Sequence, residues 1–182
     1  MFDELHTYIL LKSKTPKECL EAAYYLRAYA TYKKSDLTDE KQQLSALERF
    51  QEVISYYPKS KYAPYGITAL GKLHRRLKNF GEAKGYLKVI SDTYPAFSGL
   101  PEVMLELSRV YIQKEKIDLA IAVFEKLLAN HPKSRFAPDS KLELGKEMYE
   151  ANNFQASKKI LIRLMKADPT MFYDSPDLLI YL

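Results

Sequence analysis

Apolar and small side chains recur every three or four residues along this chain, in runs that short polar segments separate. In one unit Ile67, Leu70 and Gly71 share a face of a first predicted helix, while Leu87 and Ile90 share a face of a second. The polar segment between the two runs, from position 78 to 81, is expected to be a turn. The same plan returns in the following units, so the pattern predicts a series of antiparallel helix pairs.

Prolines mark the period of this pattern, which is 37 residues. One series is expected to end the second helix of each pair, because proline lacks a backbone N–H and biases the preceding residue away from helix: Pro58, Pro95, Pro132 and Pro169. A second series falls where the first turn of the next helix tolerates proline: Pro64, Pro101 and Pro138. Three serines just before that turn are predicted N-caps: Ser60, Ser98 and Ser134.

Small residues recur at the same interval on both helices of a pair. On the first helices they are Gly71, Ser108 and Gly145. On the second helices they are Ala83, Ala120 and Ser157. Small side chains let two backbones come close together, so we expect the helices of each pair to approach most closely at these positions.

A helix pair with a small residue on each helix and a closing proline resembles the tetratricopeptide repeat, and the resemblance covers essentially the whole chain. The usual period of that family is about 34 residues. The longer unit and the linker from Tyr57 to Pro64 resemble the bacterial envelope branch of the family, which includes BamD and YbgF. The resemblance implies an all-α fold, a right-handed superhelical solenoid of antiparallel helix pairs whose first helices line a concave groove.

The period divides the chain into one continuous array. Residues 1–16 are the predicted second helix of a preceding repeat, and residues 170–182 are the start of a further one. Between them lie a repeat with a lengthened polar loop near residues 35–40, and then three regular repeats: 17–58, 59–95, 96–132 and 133–169. An array that begins and ends within a repeat is expected to be part of a longer protein.

One basic column on the first helices is a candidate partner-binding site. Lys72, Arg109 and Lys146 stand 37 residues apart, each directly after the small packing residue. In the resembling family this position faces the groove, and Tyr65, Arg75 and Tyr149 are expected to face the same way. Such a groove suits an acidic or carboxylate-bearing protein segment. The alternative is that these charges are only solvated helix surface.

Three tyrosines form a second candidate. Tyr25, Tyr29 and Tyr32 are spaced four and three residues apart, which places them on one helical face. Counting from Pro16 puts this face in the core between helices. A shift of one residue, which gives Ala28 the small position, puts it in the groove instead, and the sequence leaves both alternatives open.

The remaining chemistry does not favour an enzyme. The histidines, His6, His74 and His131, lack the spacing of a metal motif, and neither a glycine-rich phosphate loop nor a serine nucleophile elbow is found. The lone Cys19 cannot form an intrachain disulfide. No catalytic residue, metal, cofactor or small-molecule substrate is therefore predicted. The net charge of +5 is a modest bias. Nucleic-acid binding is a weaker alternative, because acidic residues on the first helices would repel phosphate: Glu102 and Asp139.

The resemblance implies a protein–protein interaction scaffold that works in bacterial envelope or outer-membrane assembly or maintenance. A motility or secretion apparatus would use the same pattern. The envelope branch implies a periplasmic or outer-membrane-associated location, although this sequence has no signal peptide. Membrane attachment is expected only indirectly, through an anchor or partner outside this segment.

Overall fold

The computed structural model describes residues 17–36, 39–134, 136, 145–150 and 152–167, with side chains up to residue 162. All regular structure in these ranges is helical, as the periodicity predicts. The chain divides into two compact units, Met1–Phe97 and Ser98–Leu182, called unit 1 and unit 2 below. The predicted helices at residues 1–16 and 170–182 lie outside the described ranges.

Unit 1 contains four described helices in which each packs against the next: α1 (Lys17–Lys34), α2 (Glu40–Tyr56), α3 (Ala63–Arg76) and α4 (Phe80–Thr93). Its core is apolar and is formed by the faces that the periodicity predicts, with these side chains fully or almost fully buried: Phe50, Val53, Leu70, Leu73, Leu87 and Ile90. Burial of side chains of this size stabilises the unit by about 1.5–3 kcal/mol each.

Unit 2 repeats this arrangement. It contains α5 (Leu100–Gln113), which packs on α6 (Ile117–Asn130), then a helical segment at residues 145–150, and α7 (Phe154–Ala167). The buried side chains belong to both helices of each pair: Met104, Phe124, Leu127, Met148 and Leu161. None of the described helices of either unit is long and apolar enough to cross a membrane.

The small residues lie where the helices of a pair come closest, which confirms that prediction. A Cβ atom at Gly71 would lie 2.7 Å from the Cδ2 and Cγ atoms of Leu87. A Cβ atom at Gly145 would lie 2.7 Å from Cδ2 of Leu161. The corresponding positions are fully buried on the partner helices and at the intervening first helix: Ala83, Ser108, Ala120 and Ser157.

The helices of the three regular pairs are joined by a turn with one left-handed residue. Lys78, Glu115 and Asn152 have φ values of 61°, 57° and 59°, and they too are 37 residues apart. At the first turn the Lys78 N–H donates to the Arg75 carbonyl over 3.0 Å, and the next N–H donates to the His74 carbonyl over 2.8 Å. These two bonds form a Schellman cap, and the same pair of bonds recurs at the other two turns.

Three local expectations need correction. The turn after α3 ends at residue 79, and the rest of the predicted turn already belongs to α4. Ser60 does not cap α3, because its hydroxyl accepts the Tyr62 N–H over 3.2 Å and the helix begins only at Ala63. The Ser134 hydroxyl likewise accepts the Phe136 N–H over 3.2 Å, and the start of the helix after it lies outside the described residues. Ser98 also precedes the cap of α5, which is Gly99. The serines therefore shape the linker, whereas Pro64 and Pro101 do lie in the first turns.

The extra residues of the first repeat are only partly in the loop. Residues 35–39 connect α1 to α2, whereas residues 77–79 connect α3 to α4. The helices are longer too, with 18 residues in α1 and 17 in α2 against 14 in α3 and α4. Asp39 caps α2 by accepting the Gln42 N–H over 3.1 Å, so part of the polar segment serves to start a helix.

Candidate protein-binding face

The predicted basic column is divided between the two units. Lys72 and Arg75 lie half-buried on α3 of unit 1. Arg109 lies on α5 of unit 2, and Lys146 and Tyr149 lie in the helical segment that follows α6. The charges of each unit are therefore considered within that unit.

Arg109 forms two ion pairs inside unit 2. Its Nη1 is 2.6 Å from Oε1 of Glu106, and its Nε is 2.8 Å from Oε1 of Glu147. The Arg109 side chain is 14% exposed and that of Glu106 only 4%. The charge of Arg109 is thus compensated by two carboxylates of its own unit, which weakens the case for it as a partner-binding cation. The comparison with the preceding unit missed this, because Ala69 stands 37 residues before Glu106 and carries no charge.

Positive charge is concentrated in the last turns of the first helices of unit 1. Helix α3 contains no Asp or Glu, and its last turns contain Lys72, Arg75 and Arg76. Helix α1 has no acidic residue after Glu21, and it ends in two lysines. By contrast, α5 of unit 2 has more acidic than basic residues.

One of the two alternatives for the tyrosines of α1 requires Ala28 at the small position. Ala28 is fully buried and therefore occupies the small position, 43 residues before Gly71. At that interval Tyr29 and Tyr32 correspond to Lys72 and Arg75 of α3. Tyr25 and Tyr32 also contact the core ring of Phe50, with centroids 6.3 and 6.1 Å apart, so both are half-buried. The stripe lies at the margin of the core and shares the face predicted for the basic column.

Residues of α3 and its flanks extend this stripe into a larger surface, called the tyrosine face and defined by Tyr25, Tyr29, Tyr32, Tyr62, Tyr65 and Phe97. The Tyr25 ring is stacked on Tyr62, with centroids 5.0 Å apart and planes inclined by 16°. It is also stacked on Tyr29, at 6.0 Å and 21°. Tyr65 contacts Tyr25 at 6.1 Å and 58°, and Phe97 at 4.8 Å and 87°. Such pairs contribute about 0.5–1.5 kcal/mol beyond the area they bury.

Two members of this surface could not be found from the repeat alone. Tyr62 lies in the linker before α3, where Phe136 occupies the place two periods later. Phe97 stands where the neighbouring linkers have Ser60 and Ser134, so it departs from the repeat. A search for aromatic residues in linkers would have found both.

Cations surround the rings of the tyrosine face. The Nζ of Lys33 is 5.5 Å from the ring centre of Tyr29, and the Nζ of Lys61 is 5.3 Å from that of Tyr62. The guanidinium carbon of Arg76 is 5.1 Å from the ring centre of Tyr32. Contacts of this kind are worth about 0.5–1 kcal/mol at exposed sites. The outermost rings are open to solvent, with Tyr29 40% and Tyr65 44% exposed.

The remaining candidate residues make packing contacts within their own units. Tyr149 is half-buried in unit 2 and packs edge-on against Phe154, with centroids 5.0 Å apart. His74 is stacked on Tyr86 at 5.3 Å and 14°, as a packing residue would be. Burial lowers the pKa of His74 below its usual value, and nearby Glu82 opposes that shift. Within the described ranges, no three His, Cys, Asp or Glu residues are grouped so that they could hold a metal ion.

Comparisons with known proteins agree with this architecture. A tetratricopeptide repeat family model matches residues 102–134, which contain most of α5 and all of α6. BtubC from P. vanneervenii is structurally similar, with a TM-score of 0.69 and 16% identity over 93% of this chain and 71% of that one. TPR-like repeats assigned to a kinesin light chain of Podosopora anserina give a TM-score of 0.63 and 16% identity, covering 91% of this chain and 82% of the other.

The fold is that of a tetratricopeptide-type array. No curated protein sequence matches the chain. Tetratricopeptide repeats generally act as protein-binding scaffolds, and the matched family carries no catalytic activity with it. The identities are too low to transfer a particular partner from any of these proteins.

Proposed function

We propose that this chain is a protein–protein interaction scaffold and that the tyrosine face of unit 1 binds a segment of the partner. The observation that supports this proposal is the combination of exposed rings, at Tyr29 and Tyr65, with the basic last turns of α1 and α3. Tyrosine and arginine are the residue types most enriched at the centres of protein interfaces. Exposed apolar surfaces are uncommon on soluble monomers and mark interaction sites.

The chemistry of the face favours an acidic partner segment. Tyrosine rings contact apolar side chains, while lysine and arginine side chains form ion pairs with carboxylates. The cations at Lys33, Lys61 and Arg76 already lie within 5.5 Å of rings, so a carboxylate bound by one of them would be held beside an aromatic surface. Lys72 and Arg75 add positive charge on α3.

The biological setting remains a proposal from the linker residues. We infer a role in bacterial envelope or outer-membrane assembly or maintenance, in the periplasm or at the outer membrane, from the resemblance of the segment from Tyr57 to Pro64. A motility or secretion apparatus is the alternative. In either setting the chain would hold its partner rather than transform it.

Single-stranded nucleic acid is a second candidate ligand, because rings beside cations also bind bases. One observation argues against it: the parallel neighbours of Tyr25 are other tyrosines, Tyr29 and Tyr62, which occupy the ring surface that a flat base would need. The two ligands differ in salt dependence, because binding to phosphates releases counterions and the free-energy gain from that release falls steeply as the salt concentration rises.

The decisive experiment uses two purified proteins. The tagged chain captures partners from a lysate of its own organism, and the partner so identified is then purified and titrated in a calorimeter. We expect Tyr29→Ala and Tyr65→Ala to weaken this defined complex at least about tenfold each, equivalent to about 1.4 kcal/mol. Tyr56→Ala is the matched control, because Tyr56 is 65% exposed on α2 and lies outside the face.

Circular dichroism shows whether each variant still folds. Arg109 is left unchanged in these variants, because its removal would leave the buried Glu106 carboxylate without this ion pair. If the folded variants of the tyrosine face bind the partner as the parent does, this face is not the site. If the parent binds a single-stranded oligonucleotide, with an affinity that falls steeply with salt, and no protein, the scaffold function is wrong.

A further inference from the structure

The tyrosine face is rich in hydrogen-bond donors. Every tyrosine in it ends in a hydroxyl group, and the cations beside its rings add the N–H groups of Lys33, Lys61 and Arg76. A surface of this kind offers bonds to a ligand whose own backbone still has unbonded carbonyl groups.

The hydrogen-bond donors of this surface favour one backbone conformation of a bound segment over another. An α-helix has already bonded most of its carbonyl groups internally, and it binds through a stripe of apolar side chains in a hydrophobic groove. A polyproline II segment makes no internal hydrogen bonds, so all its carbonyl groups remain available as acceptors. Exposed tyrosines, such as Tyr29 and Tyr65, carry hydroxyl donors that match the second form.

The tilt of the rings matches the side chains of such a segment. Tyr65 is inclined by 58° to Tyr25 and by 87° to Phe97, so the faces and edges of neighbouring rings meet at wide angles. Compact, rigid proline rings fit against such angled surfaces and lose little conformational entropy when they bind. Flat groups that need a parallel ring would find Tyr25 already stacked on Tyr62.

We propose that the segment bound by the tyrosine face is a polyproline II stretch in which prolines are interspersed with carboxylate side chains. This inference rests on the proposed function and names the ligand class of the same surface. The prolines contact the angled rings around Tyr65, and the carboxylates pair with Lys33, Lys61 and Arg76. Helical acidic segments are the competing class.

The test uses synthetic peptides and the full chain. Fluorescein-labelled peptides of repeated Pro-Pro-Glu triplets and of repeated Ala-Ala-Glu triplets have equal length and equal charge, but only the first is held in the polyproline II form. Fluorescence anisotropy is expected to show at least about tenfold tighter binding of the proline peptide. Tyr65→Ala should weaken that binding by a similar factor, whereas Tyr56→Ala should not.

The outcomes separate the ligand class from the function. If the alanine peptide binds as tightly as the proline peptide and both lose affinity in Tyr65→Ala, the preference for proline is wrong and the scaffold function stands. If neither peptide binds more tightly than about 1 mM while the purified partner is lost in Tyr65→Ala, the same conclusion holds. If neither the peptides nor the partner respond to substitutions in the face, both proposals fail.

Discussion

At the scale of single residues, the contact between Gly71 and Leu87 leaves no room for a methyl group on α3. Gly71→Ala would place a Cβ 2.7 Å from two carbon atoms of that leucine, one of which is the branch carbon Cγ. We expect a loss of about 1–3 kcal/mol in the free energy of unfolding, because the helices must separate or Leu87 must leave its rotamer. Urea unfolding followed by circular dichroism measures this loss.

Gly85→Ala is the matched control for that substitution. A Cβ at Gly85 meets no atom within 4 Å, and the residue lies inside α4. Alanine should therefore stabilise unit 1 by about 0.5–1 kcal/mol, because it restricts the unfolded chain and favours the helix. Opposite signs at Gly71 and Gly85 would confirm the close approach, and equal signs would contradict it.

The left-handed turn residues provide a second test. Lys78 and Glu115 adopt φ values of 61° and 57°, which cost a side chain with a Cβ about 1–2 kcal/mol. Lys78→Gly and Glu115→Gly should each stabilise the protein by about 0.5–1 kcal/mol after the greater freedom of unfolded glycine is subtracted. Asn152→Gly should gain less, because asparagine tolerates this conformation better. The midpoints of urea unfolding of the three variants, each compared with the parent, test this order of stabilisation.

His74 should make stability depend on pH. Burial lowers its pKa in the folded state below the ordinary value of about 6.5, so below that pH the unfolded chain binds the proton more readily. The contribution is complete above about pH 6.5 and is lost as pH falls from there towards the folded-state pKa. His74→Tyr copies Tyr111, one period later, and should lose less stability than the parent between about pH 7.5 and 5.5.

Urea unfolding at the two pH values provides the comparison for His74. Glu82→Gln is the companion variant, because Glu82 raises the pKa of His74 and its loss should make the parent's pH dependence steeper. If the free energy of unfolding changes equally with pH in the parent and in His74→Tyr, the His74 ring is not shielded from water.

At the scale of elements, the ion pair between Arg109 and Glu147 joins α5 to the helical segment at residues 145–150 within unit 2, and the pair with Glu106 lies within α5. Arg109→Ala removes both pairs and leaves the nearly buried Glu106 without this cation, for an expected loss of about 2–4 kcal/mol. Adding Glu106→Ala, which copies Ala69 of the preceding repeat, should recover part of the loss. Double-mutant cycles from urea unfolding measure the coupling.

Arg49→Ala is the control for this network. The Arg49 side chain is 33% exposed, and its partner Glu52 keeps a second ion pair with Arg27. We expect a loss below about 1 kcal/mol there. A loss at Arg109 no larger than that at Arg49 would mean that the unit 2 network contributes little to stability.

Helices and their closest contacts could be predicted from the sequence because both depend on features that repeat. The 37-residue interval carried the prolines and the small positions, and positions such as Gly71 and Gly145 lie where close packing requires them. The geometry of the linkers was harder to predict from the sequence than the helices were. Ser60 has the composition of an N-cap, but its hydroxyl bonds to an N–H before the helix begins, and composition alone does not separate these arrangements.

At the scale of the whole molecule, the candidate site was harder to predict because it depends on residues that do not repeat. The charge of Arg109 is compensated by Glu106 and Glu147, whose equivalents one period earlier, Ala69 and Val110, are uncharged. Phe97 completes the tyrosine face at a position that is serine in neighbouring linkers. The additional residues of the first repeat also changed the count that relates Ala28 to later units, which is why the phase of the α1 tyrosines needed a structure.

The basic last turns of α1 and α3 in unit 1 have a consequence for the behaviour of the free protein. Exposed aromatic surfaces promote self-association, but two copies that approached through the tyrosine face would bring Lys72, Arg75 and Arg76 of one copy against those of the other. Like charges repel over about 8 Å at physiological salt. The charges that attract an acidic segment would thus also keep unoccupied copies dispersed, and concentrated salt should make solutions of the free chain turn cloudy before those of its complex.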